Sequence, residues 1–320
     1  MGKTFFRSKS LFVALLLVVV AALALSISSA TGQAQTTSAI DEPSCVAFDG
    51  SNLWVANAGN DTVLKISMST GSIIGSYDVG STPRSIAYDG GNIWVTNFNS
   101  DTVTKLSAAS GALLGTYAVG SNPIAVYPSG TSVWVANFGG DTVTKLNASN
   151  GALLGTYAVG DGPVALTTAG SNVWVVNQNA NSVTKLSSAG ATLGTYGVGK
   201  APSGLDYDGA NIWVTNSQSD NVTKLRASDG ATLATYTVGD NPLAVACANG
   251  EAWVVNQFSH SVTKINGTTG ATIGNYSVGD TPASAIVENG NVWVANFGSR
   301  TLTKLRASDG ALLGTYGVTP

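Results

Sequence analysis

The chain contains few side chains that could carry acid–base or metal chemistry. His260 is its single histidine, and its glutamates are Glu42, Glu251 and Glu288. General acid–base catalysis needs a positioned proton donor or acceptor at the substrate, and a zinc-type centre needs several His, Cys or carboxylate ligands. Neither arrangement is visible around one histidine. The sequence therefore predicts no catalytic residue, no metal ion and no cofactor.

Another small set of charged or titratable side chains suits binding better than catalysis. Its members are Arg84, His260, Arg300, Asp41 and Glu42. An arginine guanidinium can bind a carboxylate or another anion through two parallel hydrogen bonds. We therefore predict an anion- or carboxylate-binding patch with Arg84 as its central donor. The alternative, that these are solvated charges with no common role, stays open.

Whether these residues meet depends on a repeat of about 40 residues that fills most of the chain. Four short segments in each repeat are rich in β-branched and aromatic residues and are separated by Gly, Asn, Asp and Pro, which predicts a four-stranded antiparallel meander. Such sheets must stack on one another, and radial stacking gives a propeller. The sequence predicts an all-β, seven-bladed β-propeller over residues 43–320, with one blade per repeat. All seven tryptophans follow the period: Trp54, Trp94, Trp134, Trp174, Trp213, Trp253 and Trp293.

One loop of the repeat, between strands two and three, differs most from blade to blade. In a propeller it lies on the same face as the connection from strand four to the next blade, and binding residues are usually carried by loops on a rigid scaffold. His260 and Arg300 end this loop in repeats six and seven, and Arg84 follows the Pro of repeat two. Because blades six, seven, one and two are consecutive in a closed ring, we expect the charged set to share one sector of that face.

A typical repeat reads Pro, then Gly-x-Asn-(Ile/Val)-Trp-Val-x-Asn, then Asp-x-Val-x-Lys-Leu, then Gly-x-x-x-Gly-x-Tyr-x-Val-Gly. This unit resembles the YVTN-type β-propeller repeat family, and it is similar to streptogramin (virginiamycin B) lyase and to NHL-repeat propellers. The resemblance implies the propeller fold. For the lyases it also implies catalysis by histidine and glutamate on one face with a magnesium ion. Glu251 and Glu288 fall at the opposite turn, so that site is not carried over to this chain.

Positions shared by all seven repeats are interpreted as scaffold. We expect each Trp to wedge adjacent blades together, and the Asn three residues later to hydrogen-bond nearby backbone in its loop. A lysine on the third strand of every blade is expected to lie around the outside and to serve solubility. These lysines are Lys65, Lys105, Lys145, Lys185, Lys224, Lys264 and Lys304. We also expect the ring to close by packing of blade seven against blade one, without a shared blade.

The first 30 residues differ from the rest and are predicted to be a signal peptide, followed by a short segment over residues 31–42. Lys3, Arg7 and Lys9 precede an apolar run and the small residues Ser28-Ser29-Ala30. An uncleaved membrane anchor is the alternative. In either case the rest is exported, to the periplasm, the cell surface or the exterior, and no membrane span is expected after cleavage.

Export permits a disulfide between Cys45 and Cys247. Their offsets within the repeat place them on opposite faces of their strands, so we expect two small buried side chains instead.

Charge narrows the class of partner. The whole chain has a net charge of −3, and removal of the three basic residues of the leader leaves the remainder more acidic. Nucleic acid is therefore not expected as a partner, since it requires a basic surface. We predict an exported, non-enzymatic, monomeric propeller whose variable face binds a protein, a glycan or a small molecule. A streptogramin-lyase-like enzyme with a rearranged site and a purely structural cell-envelope or surface protein remain as alternatives.

Overall fold

Residues 42–67, 70, 72–299 and 301–317 are described by the computed structural model. The predicted signal peptide, Asp41 and Arg300 lie outside these residues. The described part forms strands β1 to β28 and two short 3₁₀ turns, Ala58–Asn60 and Phe138–Gly140.

The strands occupy four equivalent positions in each blade. The first strands are β1 (Pro43–Phe48), β5 (Pro83–Tyr88), β9 (Pro123–Ser129), β13 (Pro163–Ala169), β17 (Pro202–Tyr207), β21 (Pro242–Ala248) and β25 (Pro282–Glu288). The second strands are β2 (Asn52–Asn57), β6 (Asn92–Asn97), β10 (Ser132–Asn137), β14 (Asn172–Asn177), β18 (Asn211–Asn216), β22 (Glu251–Asn256) and β26 (Asn291–Asn296).

The third strands are β3 (Thr62–Ser67), β7 (Thr102–Ser107), β11 (Thr142–Asn147), β15 (Ser182–Leu186), β19 (Asn221–Arg226), β23 (Ser261–Asn266) and β27 (Thr301–Arg306). The fourth strands are β4 (Ile73–Asp78), β8 (Leu113–Ala118), β12 (Leu153–Ala158), β16 (Thr192–Gly197), β20 (Thr232–Thr237), β24 (Thr272–Ser277) and β28 (Leu312–Gly317).

Four consecutive strands pair antiparallel in each sheet, and the seven sheets form a ring, which confirms the predicted seven-bladed all-β propeller. From blade one to blade seven, the first strands of successive blades lie against each other at the centre, and fourth strands form the outer edges. Tight turns join the strands. At Asn249-Gly250, φ values of 54° and 79° fit the type I′ hairpin expected there. At Gly111, φ is 75°, and a Cβ would overlap the ring of Tyr77 from the preceding blade.

The tryptophans join neighbouring blades, as predicted. Trp54 lies in one apolar cluster with Ile93, Val95 and Leu106 of the next blade. It also stacks on Tyr77 of its own fourth strand, with ring centroids 5.5 Å apart. The same Trp–Tyr pair occurs in all seven blades. Each tryptophan therefore packs both within its blade and, in blades one to six, against the next.

The interpretation of the lysine ring as a solubility device is wrong. Lys105 is only 4% exposed, and its Nζ lies 5.0 Å from the Trp94 ring centroid. The ammonium group donates hydrogen bonds to the carbonyl oxygens of Ala148 and Ser149 in the next blade, at 2.7 and 2.9 Å. Equivalent bonds start from Lys65, Lys145, Lys185, Lys224 and Lys264. The lysine is a clamp between blades, because its charge is satisfied by a ring and by backbone carbonyls of a neighbour.

The asparagines that recur in every repeat brace their loops, but they bond to side chains instead of to the backbone that was expected. Asn97 is fully buried, and its Nδ2 donates to Thr102 Oγ1 and Thr104 Oγ1, both at 2.9 Å. The amide thus ties the second strand to side chains of the third strand instead of to nearby backbone. Similar pairs are formed by Asn137, Asn177, Asn216, Asn256 and Asn296.

Three blades add an aspartate beneath the indole. Asp89 accepts a hydrogen bond from Trp94 Nε1 at 2.8 Å and others from Asn92. Burial raises the pKa of Asp89, but these hydrogen bonds outweigh it and leave the pKa below its usual value. Alanine replaces the aspartate at Ala169 and Ala248, and the indole N–H groups of those two blades are buried without a partner among the described residues.

The junction between blades seven and one differs from the other six. Every other junction has an apolar cluster that spans both blades, whereas in the described residues Trp293, Ile286 and Leu302 cluster only within blade seven. The matching residues of blade one form a separate cluster that includes Leu53 and Val55. No apolar cluster of the described residues spans this junction, and no described sheet takes strands from both chain ends, so closure by packing of blade seven against blade one stays a prediction.

Both cysteines are free. Cys45 is buried, and that burial raises the pKa of its thiol to about 12. Cys247 is partly exposed, so the expectation that both are buried is correct for Cys45 only. In the described part of the chain, no helix has the length and apolar character needed to span a bilayer.

Candidate functional site

The variable loops and the interblade connections lie together, as predicted, and we call their common surface the loop face. Phe98 N donates to Thr82 O at 3.0 Å, and Asn99 N donates to Ser81 O at 3.1 Å. Asn99 Nδ2 also donates to Thr82 Oγ1 at 2.7 Å. These bonds attach the loop after the second strand to the connection that leads into the same blade. We call the opposite surface, which carries the hairpins after the first strands, the turn face.

His260 is part of a bracing pattern that repeats around the loop face. Its Nδ1 accepts a hydrogen bond from Thr281 N at 3.0 Å. Its φ of 47° is left-handed, a conformation in which Asp and Asn are enriched. In blades one to five the same acceptor position is held by Asp61, Asp101, Asp141, Asn181 and Asp220. The imidazole therefore keeps the role of the residue that it replaces.

This role predicts how His260 responds to substitution. His260→Ala should lower the free energy of unfolding by about 0.5–1.5 kcal/mol, because Thr281 N–H loses its protein acceptor. His260→Asp should stay near wild type, since a carboxylate serves at this position in four other blades. Chemical denaturation of the two variants checks the prediction. Equal destabilisation by both substitutions would show that the ring contributes something beyond the brace.

The first strands surround a central channel. Of the predicted site residues that the structure describes, only Arg84 lines it. It begins just after Pro83 on β5, its side chain is exposed, and its Cζ lies 5.5 Å from the Phe98 ring centroid. A guanidinium near an aromatic ring is held by a cation–π interaction. Phe98 thus orients the charge of Arg84 while it leaves the guanidinium hydrogens accessible.

A cavity of about 250 Å³ occupies the channel. It is lined by the first strands of blades two to seven, with apolar side chains from Ile124, Val164, Leu243 and Ala283. Most of this surface is hydrocarbon, and Arg84 is its single charged lining residue. Such a mixture of apolar walls and a few polar groups is typical of small-ligand sites.

The other predicted site residues are placed differently. Glu42 is exposed on the loop face, with φ of 48°, and its carbonyl accepts a hydrogen bond from Ala58 N at 3.1 Å. Neither Glu42 nor His260 lines the channel cavity. Asp41 and Arg300 lie outside the described residues, so the predicted five-residue patch remains a prediction.

Sequence reasoning missed two exposed phenylalanines. Phe258 and Phe297 are 64% and 63% exposed, and they lie in the variable loops of the neighbouring blades six and seven. Their signal was an aromatic residue in the least constant loop of the repeat, since aromatic side chains are enriched in protein interfaces.

No group of three or more His, Cys, Asp or Glu side chains in the described ranges has the arrangement of a metal site. Glu251 and Glu288 lie at the turn face, at the start of β22 and the end of β25. Glu251 Oε1 forms an ion pair with Lys264 Nζ at 2.7 Å. Glu251 and Glu288 therefore lie on the face opposite the variable loops, as the sequence indicated.

Comparison with known proteins shows similarity in structure but not in sequence. No protein-family model and no curated protein matches the chain in sequence. Virginiamycin B lyase from Staphylococcus aureus is similar in structure, with a TM-score of 0.66, 12% identity, and coverage of 78% of this chain and 90% of that one. BamB from Moraxella catarrhalis is similar with a TM-score of 0.70, 15% identity, and coverage of 86% and 87%. Kuenenia stuttgartiensis hydrazine synthase is similar with a TM-score of 0.69 and 17% identity, and the match covers 87% of this chain and 99% of that one. The chain has the β-propeller fold of these proteins.

Proposed function

We propose that the protein is an exported, non-enzymatic β-propeller that binds a protein, glycan or small-molecule partner through its loop face. Export is supported by the basic and apolar pattern of residues 1–30. The loop face is favoured because it carries the positions at which the blades differ, whereas the Trp, Lys and Asn positions repeat as scaffold. Arg84, Glu42 and His260 lie on this side of the molecule, and Arg300 and Asp41 are proposed to extend the surface between blades seven and one.

The observation that carries this proposal is the exposure of Phe258 and Phe297. Each leaves more than half of a large apolar side chain in water on adjacent blades. Burial of an aromatic side chain by a partner removes that cost, and such residues often dominate binding energy. Leu113 and Leu153 are equally exposed, at 61% each, but they start fourth strands, where Leu312 repeats the same exposure. They serve as matched controls for apolar exposure alone.

The test compares two double variants of the exported protein. Phe258→Ser with Phe297→Ser should reduce capture of the native partner from the extracellular fraction by about tenfold or more, as loss of two interface anchors implies. Leu113→Ser with Leu153→Ser should capture as much as wild type. Retained capture by the phenylalanine variant, or equal loss in both variants, would contradict a binding site on the loop face.

A further inference from the structure

The channel cavity combines features that the loop-face proposal does not use. Its walls are mostly hydrocarbon, and its single charged lining residue is Arg84. No carboxylate of the described residues forms an ion pair with Arg84. An anion would therefore meet a guanidinium that no described acidic group neutralises.

Ser284 lines the same cavity, but its hydroxyl does not add a contact for a ligand. It is 3% exposed, and its Oγ has no hydrogen-bond partner among the described residues. By contrast, Ser203 Oγ donates to Pro242 O at 3.0 Å, and Ser85 Oγ accepts from Val126 N at 3.3 Å. A buried hydroxyl without a partner costs free energy, and because the equivalent Ser85 is satisfied by the first strand of the next blade, the unpaired Ser284 Oγ marks the junction of blades seven and one.

We propose that the channel binds a small carboxylate with an apolar body. The carboxylate pairs with Arg84 at the mouth through two N–H···O bonds, as guanidinium geometry favours. The apolar body enters the channel and covers Ile124, Val164 and Leu243, where its burial is favourable. A phosphate or sulfate alone would satisfy Arg84 and leave the apolar walls unused.

Octanoate is a suitable probe, and octanamide is its uncharged counterpart. Titration calorimetry with the full exported protein should show that octanoate binds about tenfold or more tightly than octanamide, the factor expected for a charge-assisted pair. Arg84→Met should reduce octanoate affinity to the octanamide level, and Arg84→Lys should fall between them because it keeps the charge and loses the paired geometry. Lys200→Met, at an exposed lysine away from the cavity, should match wild type.

A blocking variant separates the channel from a surface anion site. Ala283→Phe fills the cavity without removing Arg84, so it should abolish octanoate binding while the circular dichroism spectrum stays unchanged. Equal octanoate affinity in Ala283→Phe and wild type would place the anion outside the channel and overturn the proposal. So would octanamide binding as tightly as octanoate, or no octanoate binding at all. The variant that lacks Phe258 and Phe297 should still bind octanoate, so failure of the loop-face partner site and failure of this channel site give different results.

Discussion

Lys264→Met should lower the free energy of unfolding by about 2–4 kcal/mol, because it removes a nearly fully buried charge that joins blades six and seven. Lys264 is 1% exposed, and its Nζ donates to Ala307 O at 2.8 Å and to Ser308 O at 3.1 Å. The same ammonium pairs with Glu251 at 2.7 Å and lies 5.1 Å from the Trp253 ring centroid. Methionine keeps the packing against that ring, but it leaves two carbonyls and a carboxylate without their donor.

Two control substitutions separate the causes of that loss. Glu251→Gln removes only the ion pair, and since Glu251 is 25% exposed the effect should stay within about 1 kcal/mol. Lys200→Met removes a lysine that is exposed in the connection before blade five, and it should leave the denaturation midpoint unchanged. If Lys264→Met behaved like Lys200→Met, the lysines would contribute to solubility alone, as the sequence first indicated.

The fold could be predicted from the sequence because one pattern is repeated seven times. Each repeat confirms the strand and turn assignments of the others, so Trp spacing alone gives the number of blades. The lysines were misinterpreted because a lysine is rarely buried. The strand register predicts the buried position of the lysine. Counting back from the hairpin closed by Asn57 and Thr62 places Trp54 opposite Lys65. Residues directly opposite on antiparallel strands place their side chains on one face, so Lys65 had to share the buried side of Trp54.

The site was less predictable than the scaffold. The position of Arg84 after the proline marked it as unusual, and the structure places it at the channel. His260 was unusual in the same sense, yet its Nδ1 does what the aspartates of other blades do. A difference in residue type therefore did not indicate a difference in role. The orphaned Ser284 hydroxyl depends on how neighbouring first strands meet in the ring, and nothing in one repeat encodes that geometry.

Trp94→Ala should cost about 3–5 kcal/mol, the usual loss for a large buried aromatic. Trp94 is fully buried, it clusters with Val133, Val135 and Leu146 of the next blade, and its indole N–H donates to Asp89. Trp94→Phe should recover part of the loss, because it restores an apolar ring without the N–H donor.

Trp293→Ala provides the internal comparison and should cost less than half as much. Trp293 is partly exposed, and it clusters with Ala295, Ile286 and Leu302 of its own blade. It also packs on the Tyr316 ring of that blade, with centroids 5.6 Å apart. A residue that is already partly hydrated and does not wedge two blades has less burial to lose. Urea denaturation of both variants, followed by far-ultraviolet circular dichroism, measures the difference. Equal losses would mean that blades seven and one pack in solution as tightly as the other pairs, whereas a smaller loss at Trp293 would mean that this junction contributes less packing energy than the others.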